Sequence, residues 1–523
     1  MATPLPHWSR PSSKPPTPRR GLFEEGTALT MQERTPPFAF RPDMPGDAVL
    51  GHLYSTERGE QTNAPLRLAE DRHFHTIFAA DTGYGKTIAA ERLAVEVVNQ
   101  WHHRAVVLDF GAGWRKLLNS AVPPERLDLY QLHPGAVRPF RWNFMQIGRR
   151  IPPDEQVPAM AELLCAAGRM GPRQFAFIRD GLRELYLQAG VLLPGPLDRP
   201  EKITIDPKWQ SVQPDETAVI ETLQRERGGP RRAVQPGASL AALDKFEQQA
   251  VQVYRSKKVE VGLLHNCLEA RATKLTDRDP SRAALEGVLL RLEPFTRGAL
   301  ARMYGGGEGS LAVEDLGLLG PEPNLADRWG LCILEGGAEM DKYAKTVVLS
   351  LAAWHLYTDS VIRRRETIGG FNRPLDIFWE EANKLLSGVG ESDTSTSSTS
   401  GAVEMWQTFW RDGRKYKVFM HPLAQNLSEL PPGILSSCNN AFFGQMKSLL
   451  DRDLAVGHLA RSERGFTDEE YKRYMSRLPR ELAIVKLGYS ADVADLEPLL
   501  ARPLMVHCPE PDDVELLRHF AKG

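Results

Sequence analysis

Short runs of consecutive apolar residues alternate with amphipathic stretches of helical period along most of the chain. Runs that are apolar throughout are typical of strands buried on both faces of a parallel sheet. Such runs predict strands at residues 76–79, 104–109, 331–335, 375–379, 417–420, 441–443 and 481–485. Helical periodicity at 88–100 and 342–365 predicts helices between strands. The alternation predicts an α/β fold whose central, mostly parallel sheet is flanked by helices.

Changes in composition divide the chain into segments. A proline- and arginine-rich start predicts a flexible arm, because it carries too little apolar surface to offset its ordering entropy. A long middle region of helical periodicity predicts an all-helical insertion domain between two parts of the core. A serine- and threonine-rich tract at 387–401 predicts a mobile loop. The predicted segments are the arm 1–46, the first core part 47–152, the insertion 153–305, the second core part 306–510 and a tail 511–523.

The overall composition narrows the function classes. With 42% hydrophobic and 25% charged residues and a net charge of −2, the chain is not a nucleic-acid binder that is basic overall. Its five cysteines are far apart and form no CxxC pair, so we expect neither a disulfide framework nor a zinc knuckle. We also expect no signal peptide and no integral membrane segment, and therefore a cytoplasmic location, peripheral at the membrane if the protein serves a secretion complex.

A glycine-rich loop between a predicted strand and a predicted helix carries the most specific motif. The sequence ADTGYGKT, from Ala80 to Thr87, matches the P-loop pattern G-x-x-x-x-G-K-[ST] except at its first position. In this pattern Lys86 neutralises the β and γ phosphates of ATP, and the Thr87 hydroxyl holds Mg²⁺. The nucleotide-binding residues predicted here are Asp81, Thr82, Gly83, Tyr84, Gly85, Lys86 and Thr87.

Two adjacent acids follow the predicted strand at 375–379. A P-loop ATPase needs an acid at the end of a neighbouring strand to anchor Mg²⁺, often followed by a glutamate that polarises the attacking water. This predicts Glu380 as a metal ligand beside Thr87, and Glu381 as the catalytic base. The alternative is that both are the acidic start of a solvated helix. Asp376 is a rival for the metal role, although it lies inside the strand.

A third group of polar residues surrounds the predicted strand at 417–420. Gln425 follows this strand at a position suited to contact a γ-phosphate. Arg411 and Arg414 precede it and are candidates for an arginine finger that reaches the nucleotide of the next subunit. Arginine-rich loops are more often simply solvated, and that alternative stays open here.

Taken together, these motifs resemble the HerA and FtsK superfamily of P-loop ATPases, which includes the HerA-like DNA translocases and the ATPases of conjugation and type IV secretion. The resemblance extends from about Gly51 to Cys508. It is carried by the segments Leu50-Gly51-His52, Pro65-Leu66-Arg67-Leu68, Leu108-Asp109, Pro139-Phe140-Arg141-Trp142-Asn143, Glu380-Glu381-Ala382, Gly413-Arg414-Lys415-Tyr416, Gln425, Leu430-Pro431 and Ile434.

The resemblance implies a RecA-like core, ATP and Mg²⁺ as ligands, a homohexameric ring and double-stranded DNA in its channel. Local basic clusters such as Arg363-Arg364-Arg365 and Arg231-Arg232 could contact phosphates there. Two features depart from the family. Glu380 replaces the usual aspartate, and with about fifty residues ahead of the core we do not expect the full β-barrel of the HerA translocases.

Three functions are therefore compatible with the sequence. The first is a hexameric ATPase that translocates double-stranded DNA and feeds a partner nuclease or effector. The second is a conjugation or secretion ATPase that energises transfer through a membrane complex. The third is an ATP-binding ring scaffold with weak turnover, which the unusual Glu380 keeps open.

Overall fold

One mixed sheet organises the computed structural model of the chain, which describes residues 38–194, 206–227, 232–305, 310–337, 340–366, 373–386, 399–431, 433–459, 467–488 and 497–520. Within these residues the sheet has eleven strands. They are β1 (Ala48–Ser55), β2 (Glu60–Leu68), β3 (Thr76–Ala79), β4 (Arg104–Asp109), β5 (Leu127–Gln131), β6 (Gly330–Glu335), β7 (Leu375–Trp379), β8 (Val418–Ala424), β9 (Asn440–Phe443), β10 (Ala483–Lys486) and β11 (Leu499–Pro503).

The strand order is β2-β1-β11-β10-β9-β3-β8-β7-β4-β6-β5. From β9 to β5 all neighbours are parallel, whereas β10, β11, β1 and β2 pair antiparallel. The predicted α/β fold with a mostly parallel sheet is confirmed. Because β3, β8, β7, β4 and β6 run in one direction, their carboxyl ends meet at one edge of the sheet.

Helices cover both faces of the sheet. They are α1 (Lys86–Asn99), α2 (Pro153–Gly168), α3 (Pro172–Gln188), α4 (Glu216–Glu226), α5 (Lys245–Ser256), α6 (Val261–Ala272), α7 (Pro280–Leu292), α8 (Gly298–Tyr304), α9 (Lys342–Glu366), α10 (Ala382–Leu386), α11 (Thr399–Asp412), α12 (Ile434–Ser437), α13 (Leu449–His458), α14 (Asp468–Met475) and α15 (Asp513–Phe520). No helix in the described part of the chain combines the length and apolarity that a membrane span requires.

The central strands are continuous apolar runs because both faces of the sheet are buried. In β4, Val106 and Leu108 belong to the hydrophobic cluster on one face, and Ala105 and Val107 belong to the cluster on the other. This alternation follows from the two-residue period of a strand. The first face packs against α9 and α11, and the second packs against α1.

The chain between β5 and β6 contains the helices α2 to α8, with no strand among its described residues. Apolar residues of α2, α3, α6 and α7 share one hydrophobic cluster with the sheet face under α9. A smaller cluster joins α4 and α5 through Ile220 and Val251. Helices α5 and α6 are separate elements, because the chain turns at residues 257–260. The boundaries of the insertion domain stay a prediction.

Residues of both predicted end segments pack on the core, and a third predicted segment lies mostly outside the described residues. Of the predicted flexible arm, residues 1–37 lie outside the described residues, but Phe38 is buried against Tyr471 and Tyr474 and Ala39 bridges to Leu499. Most of the serine-rich tract, 387–398, is also outside the described residues. The predicted tail contains α15, whose Leu516 is buried. In both end segments a few apolar residues, such as Phe38 and Leu516, pack against the core.

A buried cluster of histidines surrounds Asp376 at the amino end of β7. The side chain of Asp376 is fully buried, and its Oδ1 lies 2.5 Å from His73 Nε2 and 2.8 Å from His421 Nε2. Its Oδ2 lies 2.8 Å from His103 Nδ1, and His103 Nε2 lies 3.3 Å from Glu70 Oε1. The cluster joins the amino ends of β4 and β7 to β8 and to the segment that leads into β3.

His73, Asp376 and His421 have ligand atoms close enough for a metal ion, all within 4.8 Å of one another. The hydrogen-bond directions favour a different arrangement. The backbone N–H of Thr76 donates to His421 Nδ1 at 3.3 Å, so Nδ1 is an acceptor and the ring proton is on Nε2, which donates it to Asp376. A metal at Nε2 would require that proton to be removed. We therefore interpret the cluster as a hydrogen-bonded link between strands.

The charges in this cluster support one another. Burial opposes ionisation of Asp376, yet the nearby His73 and His103 hold its pKa well below the usual range. Burial likewise opposes the charge of His103, but Asp376 and Glu70 raise the pKa of its imidazole. Burial lowers the pKa of His73 to about 4. The Asp376 carboxylate therefore favours the charged form of His103, whereas His73 is neutral at neutral pH.

Asp376→Asn is expected to destabilise the fold by about 3 kcal/mol, because it leaves buried imidazoles without their anion. The depressed pKa of Asp376 gives stability above its unfolded pKa of about 3.9, and the raised pKa of His103 gives stability that fades above about pH 6.5. The difference from wild type should thus be largest between about pH 4 and pH 6.5. Chemical denaturation checks it, with the exposed Asp71→Asn as control. Equal stability of the two variants would contradict the role of the cluster.

Candidate functional site

The P-loop lies between β3 and α1, at the carboxyl edge of the sheet. Gly83 and Gly85 have φ of 83° and 82°, the left-handed region that glycine adopts without strain. Gly85 directly precedes the first residue of α1, so the loop's N–H groups and the helix N-terminus face the same side. Ala80 replaces the first glycine of the pattern, and the position opposite it is Gly444, where a Cβ would come within 2.7 Å of the Ala80 Cβ. The missing side chain at Gly444 makes space for that methyl group.

Glu380 directly follows β7 and points at the first turn of α1. Its Oε1 lies 3.2 Å from Lys86 Nζ and 3.5 Å from Thr87 Oγ1. Both charged side chains are largely buried, with 12% of the Lys86 side chain and 9% of that of Glu380 exposed. Glu380 lies 293 or more positions from Thr87 and Lys86 in the chain, and the parallel sheet brings it to them. Asp376 is excluded from this site, because it lies at the opposite end of β7.

The second carboxylate oxygen of Glu380 has a partner that sequence reasoning did not identify. Trp114 is fully buried, and its indole Nε1–H donates to Glu380 Oε2 at 3.1 Å. The backbone N–H groups of Trp114 and Gly111 donate to the carboxylate of Asp109, at 3.1 and 3.0 Å. Asp109 ends β4 and fixes the turn that carries Trp114. A strand-end aspartate followed by Phe-Gly-Ala-Gly-Trp was the available sequence signal.

Several other carboxyl groups lie near the P-loop and Glu380. Burial, together with the charge of Glu380, raises the pKa of Asp109 to about 7. Burial also raises the pKa of Glu91 in α1 to about 7, against the opposing effect of Lys116, whose Nζ lies 2.8 Å from Glu91 Oε2. At the end of β6, Glu335 forms two hydrogen bonds with Arg115, at 2.9 and 2.5 Å. This edge is therefore rich in carboxyl groups, whose oxygens are the donors that a divalent cation prefers.

Glu381, the predicted catalytic base, has an unusual backbone conformation. Its φ is 51°, a left-handed value that is strained for a residue with a side chain. Its carboxylate pairs with Lys384 in the first turn of α10. This conformation turns the chain directly after Glu380, just past the end of β7. The role of Glu381 as base stays a prediction.

Two further side chains contact the P-loop. Gln425 directly follows β8, and its Oε1 accepts a hydrogen bond from Thr82 Oγ1 at 3.2 Å. Arg480, which sequence reasoning missed, donates from Nε to the carbonyl oxygen of Gly83 at 2.6 Å. No motif pointed to Arg480, because it lies 397 positions from Gly83 in the chain and only the folded sheet brings the two together.

The two candidate arginine fingers lie at the other edge of the sheet. Arg411 and Arg414 precede the amino end of β8, whereas the P-loop lies at the carboxyl end, about 20 Å along the strand. Both are exposed. Arg414 stacks on the ring of Phe74, with its guanidinium carbon 4.2 Å from the ring centroid, and Arg411 pairs with its neighbour Asp412 at 3.5 Å. Neither contacts the P-loop of its own chain.

A cavity of about 330 Å³ opens beside the P-loop. One wall is formed by the loop and the first turns of α1, and the others by the end of β9 and the segments around β10 and β11. The lining residues include Tyr84, Ala89, Phe442, Arg480, Arg502 and Met505.

The fold was compared with known proteins. No family model and no curated protein sequence matches the chain. Among solved structures, VirB4 of Thermoanaerobacter pseudethanolicus has a TM-score of 0.52 and 13% identity over 90% of this chain and 99% of that chain. The chain therefore shares the fold of VirB4.

Two other solved structures match the chain with lower TM-scores. The bacterial conjugative coupling protein TrwB has a TM-score of 0.47 and 14% identity, and the match covers 85% of this chain and 88% of that chain. ATPases 2 and 3 of EssC from Geobacillus thermodenitrificans have a TM-score of 0.30 and 9% identity over 94% of this chain and 51% of that chain.

The raised pKa of Asp109 predicts how stability depends on pH. Because its folded pKa is about 7 and its unfolded pKa about 3.9, the folded state loses stability as pH rises from about 4 to about 7. Asp109→Asn should remove this loss, which is roughly 1–4 kcal/mol, and so flatten the pH profile. The absolute stability should also fall, because an amide has only one acceptor oxygen for the two N–H groups.

Denaturant unfolding at pH 5 and pH 8 measures the slope. The exposed Asp43→Asn is the matched control and should keep the wild-type slope. A variant Asp109→Asn with the wild-type slope would show that Asp109 is not the group that titrates.

Proposed function

We propose that the protein is an ATP-hydrolysing motor of the HerA and FtsK type that works as a homohexameric ring on double-stranded DNA. The observation that carries the proposal is the convergence of Lys86, Thr87 and Glu380 at the carboxyl edge of a parallel sheet. This is where open α/β sheets bind their ligands. The same edge carries the left-handed glycines of the P-loop and the amide of Gln425.

The residues present fit a magnesium ion. A hydroxyl at Thr87 and a carboxylate oxygen at Glu380 lie 3.5 Å apart, and both are the oxygen donors that Mg²⁺ prefers. Bound Mg²⁺ would neutralise charge on the β and γ phosphates. Lys86 also faces Glu380 and would exchange this partner for phosphate when ATP binds.

The cavity beside the P-loop fits the nucleoside part of ATP. Its volume of about 330 Å³ lies at the lower end of the range for small-molecule sites. Phe442, Met505 and Ala89 supply apolar surface for a base, and Arg480 reaches the loop at the boundary with the phosphates. We infer that base and sugar lie in this cavity while the phosphates lie on the loop.

The positions of the two candidate arginines fit a site shared between neighbouring subunits of the proposed hexamer. Arg414 is exposed and lies at the edge of the sheet opposite the P-loop, so it would act on a nucleotide only across a subunit interface. In this proposal each site takes its phosphate loop and acids from one subunit and its arginine from the next. Arg411 is the second candidate for the same role.

DNA is the proposed substrate, and the similarity to VirB4 favours a second candidate, an ATPase of conjugation or type IV secretion. ATPase assays with and without duplex DNA separate the two. Stimulation by DNA supports the DNA motor, whereas hydrolysis that depends on membrane-complex partners supports the secretion ATPase. Tight ATP binding without hydrolysis would instead indicate a ring scaffold with weak turnover.

Lys86→Ala is expected to lower ATP affinity or abolish hydrolysis, by about a hundredfold or more, because the phosphates lose their direct cation. Lys274→Ala, which removes an exposed lysine of the helical segment, is the control and should behave like wild type. Titration with a fluorescent ATP analogue and a phosphate-release assay measure both effects. Unchanged binding and turnover in Lys86→Ala would refute the assignment of the site.

Arg414→Ala is expected to bind ATP normally but to lose hydrolysis by about a thousandfold, as removal of an arginine finger does. Mixing it with inactive Glu381→Gln subunits should restore activity, because some sites then combine an intact base with an intact arginine from the neighbour. Arg411→Ala serves as the comparison. If mixed rings stay inactive while each variant assembles normally, Arg414 does not act across the interface.

A further inference from the structure

Trp114 and Glu380 form a buried pair beside the P-loop that none of the predicted roles explains. Trp114 has no exposed surface, and its indole N–H donates to Glu380 Oε2 at 3.1 Å. The other oxygen, Oε1, faces Lys86 and Thr87 at 3.2 and 3.5 Å. The two oxygens of one carboxylate therefore have separate partners, one structural and one at the site.

The turn that carries Trp114 is itself fixed. Asp109 accepts the backbone N–H groups of Gly111 and Trp114, and Ala112 between them has the left-handed φ of 65°. The indole ring packs against Phe378 of β7, with ring centroids 5.6 Å apart. The indole N–H thus reaches Glu380 from a rigid support on the neighbouring strand β4.

Glutamate needs such a support more than aspartate does. It has one more side-chain torsion, so holding its carboxylate in one place costs more conformational entropy. An indole N–H only donates and cannot bind a cation, so its bond to Oε2 leaves Oε1 as the oxygen turned towards Thr87. The bond would select one orientation of a carboxylate that could otherwise rotate or bind both oxygens to the ion.

We propose that Trp114 is a positioning residue that orients Glu380 for the Mg²⁺ of a bound nucleotide, and that it compensates for the glutamate at a position usually occupied by aspartate. This inference rests on the proposed nucleotide site. If Trp114 orients Glu380, it should strengthen the effect of Mg²⁺ on nucleotide affinity. The inference therefore predicts a change in nucleotide binding as well as in hydrolysis.

The test measures the affinity for a fluorescent, non-hydrolysable ATP analogue in excess Mg²⁺ and in EDTA. The ratio of the two dissociation constants reports the coupling between metal and nucleotide. In Trp114→Phe, which keeps an aromatic ring but removes the N–H, the ratio should fall about tenfold, because Glu380 Oε2 loses its donor. Affinity in EDTA should stay within about twofold of wild type.

A double-mutant cycle identifies the partner. Aspartate at position 380 is one methylene shorter and does not span the distance between the indole and Thr87. In the background of Glu380→Asp, Trp114→Phe should therefore change the ratio by less than about twofold. A full tenfold loss in that background would overturn the inference, because Trp114 would then act without Glu380.

Trp410→Phe is the matched control. Trp410 is also buried, and its indole N–H has no hydrogen-bond partner among the described residues, so this variant should keep the wild-type ratio. If Trp114→Phe does not fold, a benzothienyl alanine at position 114 keeps the ring shape with sulfur in place of N–H and should give the same tenfold fall. A wild-type ratio in whichever of the two variants folds would overturn the inference.

The outcomes also separate this inference from the proposed function. If wild type itself binds the analogue equally well with and without Mg²⁺, the proposed metal site fails. If wild type depends on Mg²⁺ and Trp114→Phe depends on it equally, only the role of Trp114 fails. An equal loss of affinity in Mg²⁺ and in EDTA would show a purely structural role and would likewise overturn it.

Discussion

The contact between Glu380 and the first turn of α1 depends on parallel strands that end at one edge of the sheet. β3 leads into the P-loop and β7 ends at Glu380, and the order β3-β8-β7-β4 places Gln425 and Asp109 at the same edge. A slip of one residue in the register of β7 would turn Glu380 to the opposite face. The geometry of the site is therefore a property of the whole sheet.

The opposite edge of the same strands carries the cluster around Asp376. Its hydrogen bonds join β7 to β8, to β4 and to the segment before β3, so they act on the strands that supply the P-loop, Gln425 and Glu380. Charges buried in a core stabilise it only when they are paired and hydrogen-bonded. We infer that this cluster fixes the register at one edge and that Trp114 fixes one side chain at the other.

Much of this arrangement could be predicted from the sequence, and the remainder could not for physical reasons. Continuous apolar runs such as 104–109 identified the buried strands, and the P-loop pattern located Lys86. Strands β1, β2, β5 and β11 were missed because polar residues interrupt their apolar runs, and β2 also contains Pro65. Trp114 and Arg480 were missed because their partners are distant in the chain. Pairing at such distances is decided by tertiary packing, which local periodicity does not encode.

The most direct test of the account is a crystal structure with a non-hydrolysable ATP analogue and Mn²⁺, the ion located by its anomalous signal. The account predicts phosphates on the loop at Gly83–Thr87 and the ion bound by Thr87 Oγ1 at about 2.1 Å. The carboxylate of Glu380 should face the ion, directly or through one water, and keep its bond to Trp114. An ion that Thr87 and Glu380 do not contact, or phosphates away from the loop, would contradict it.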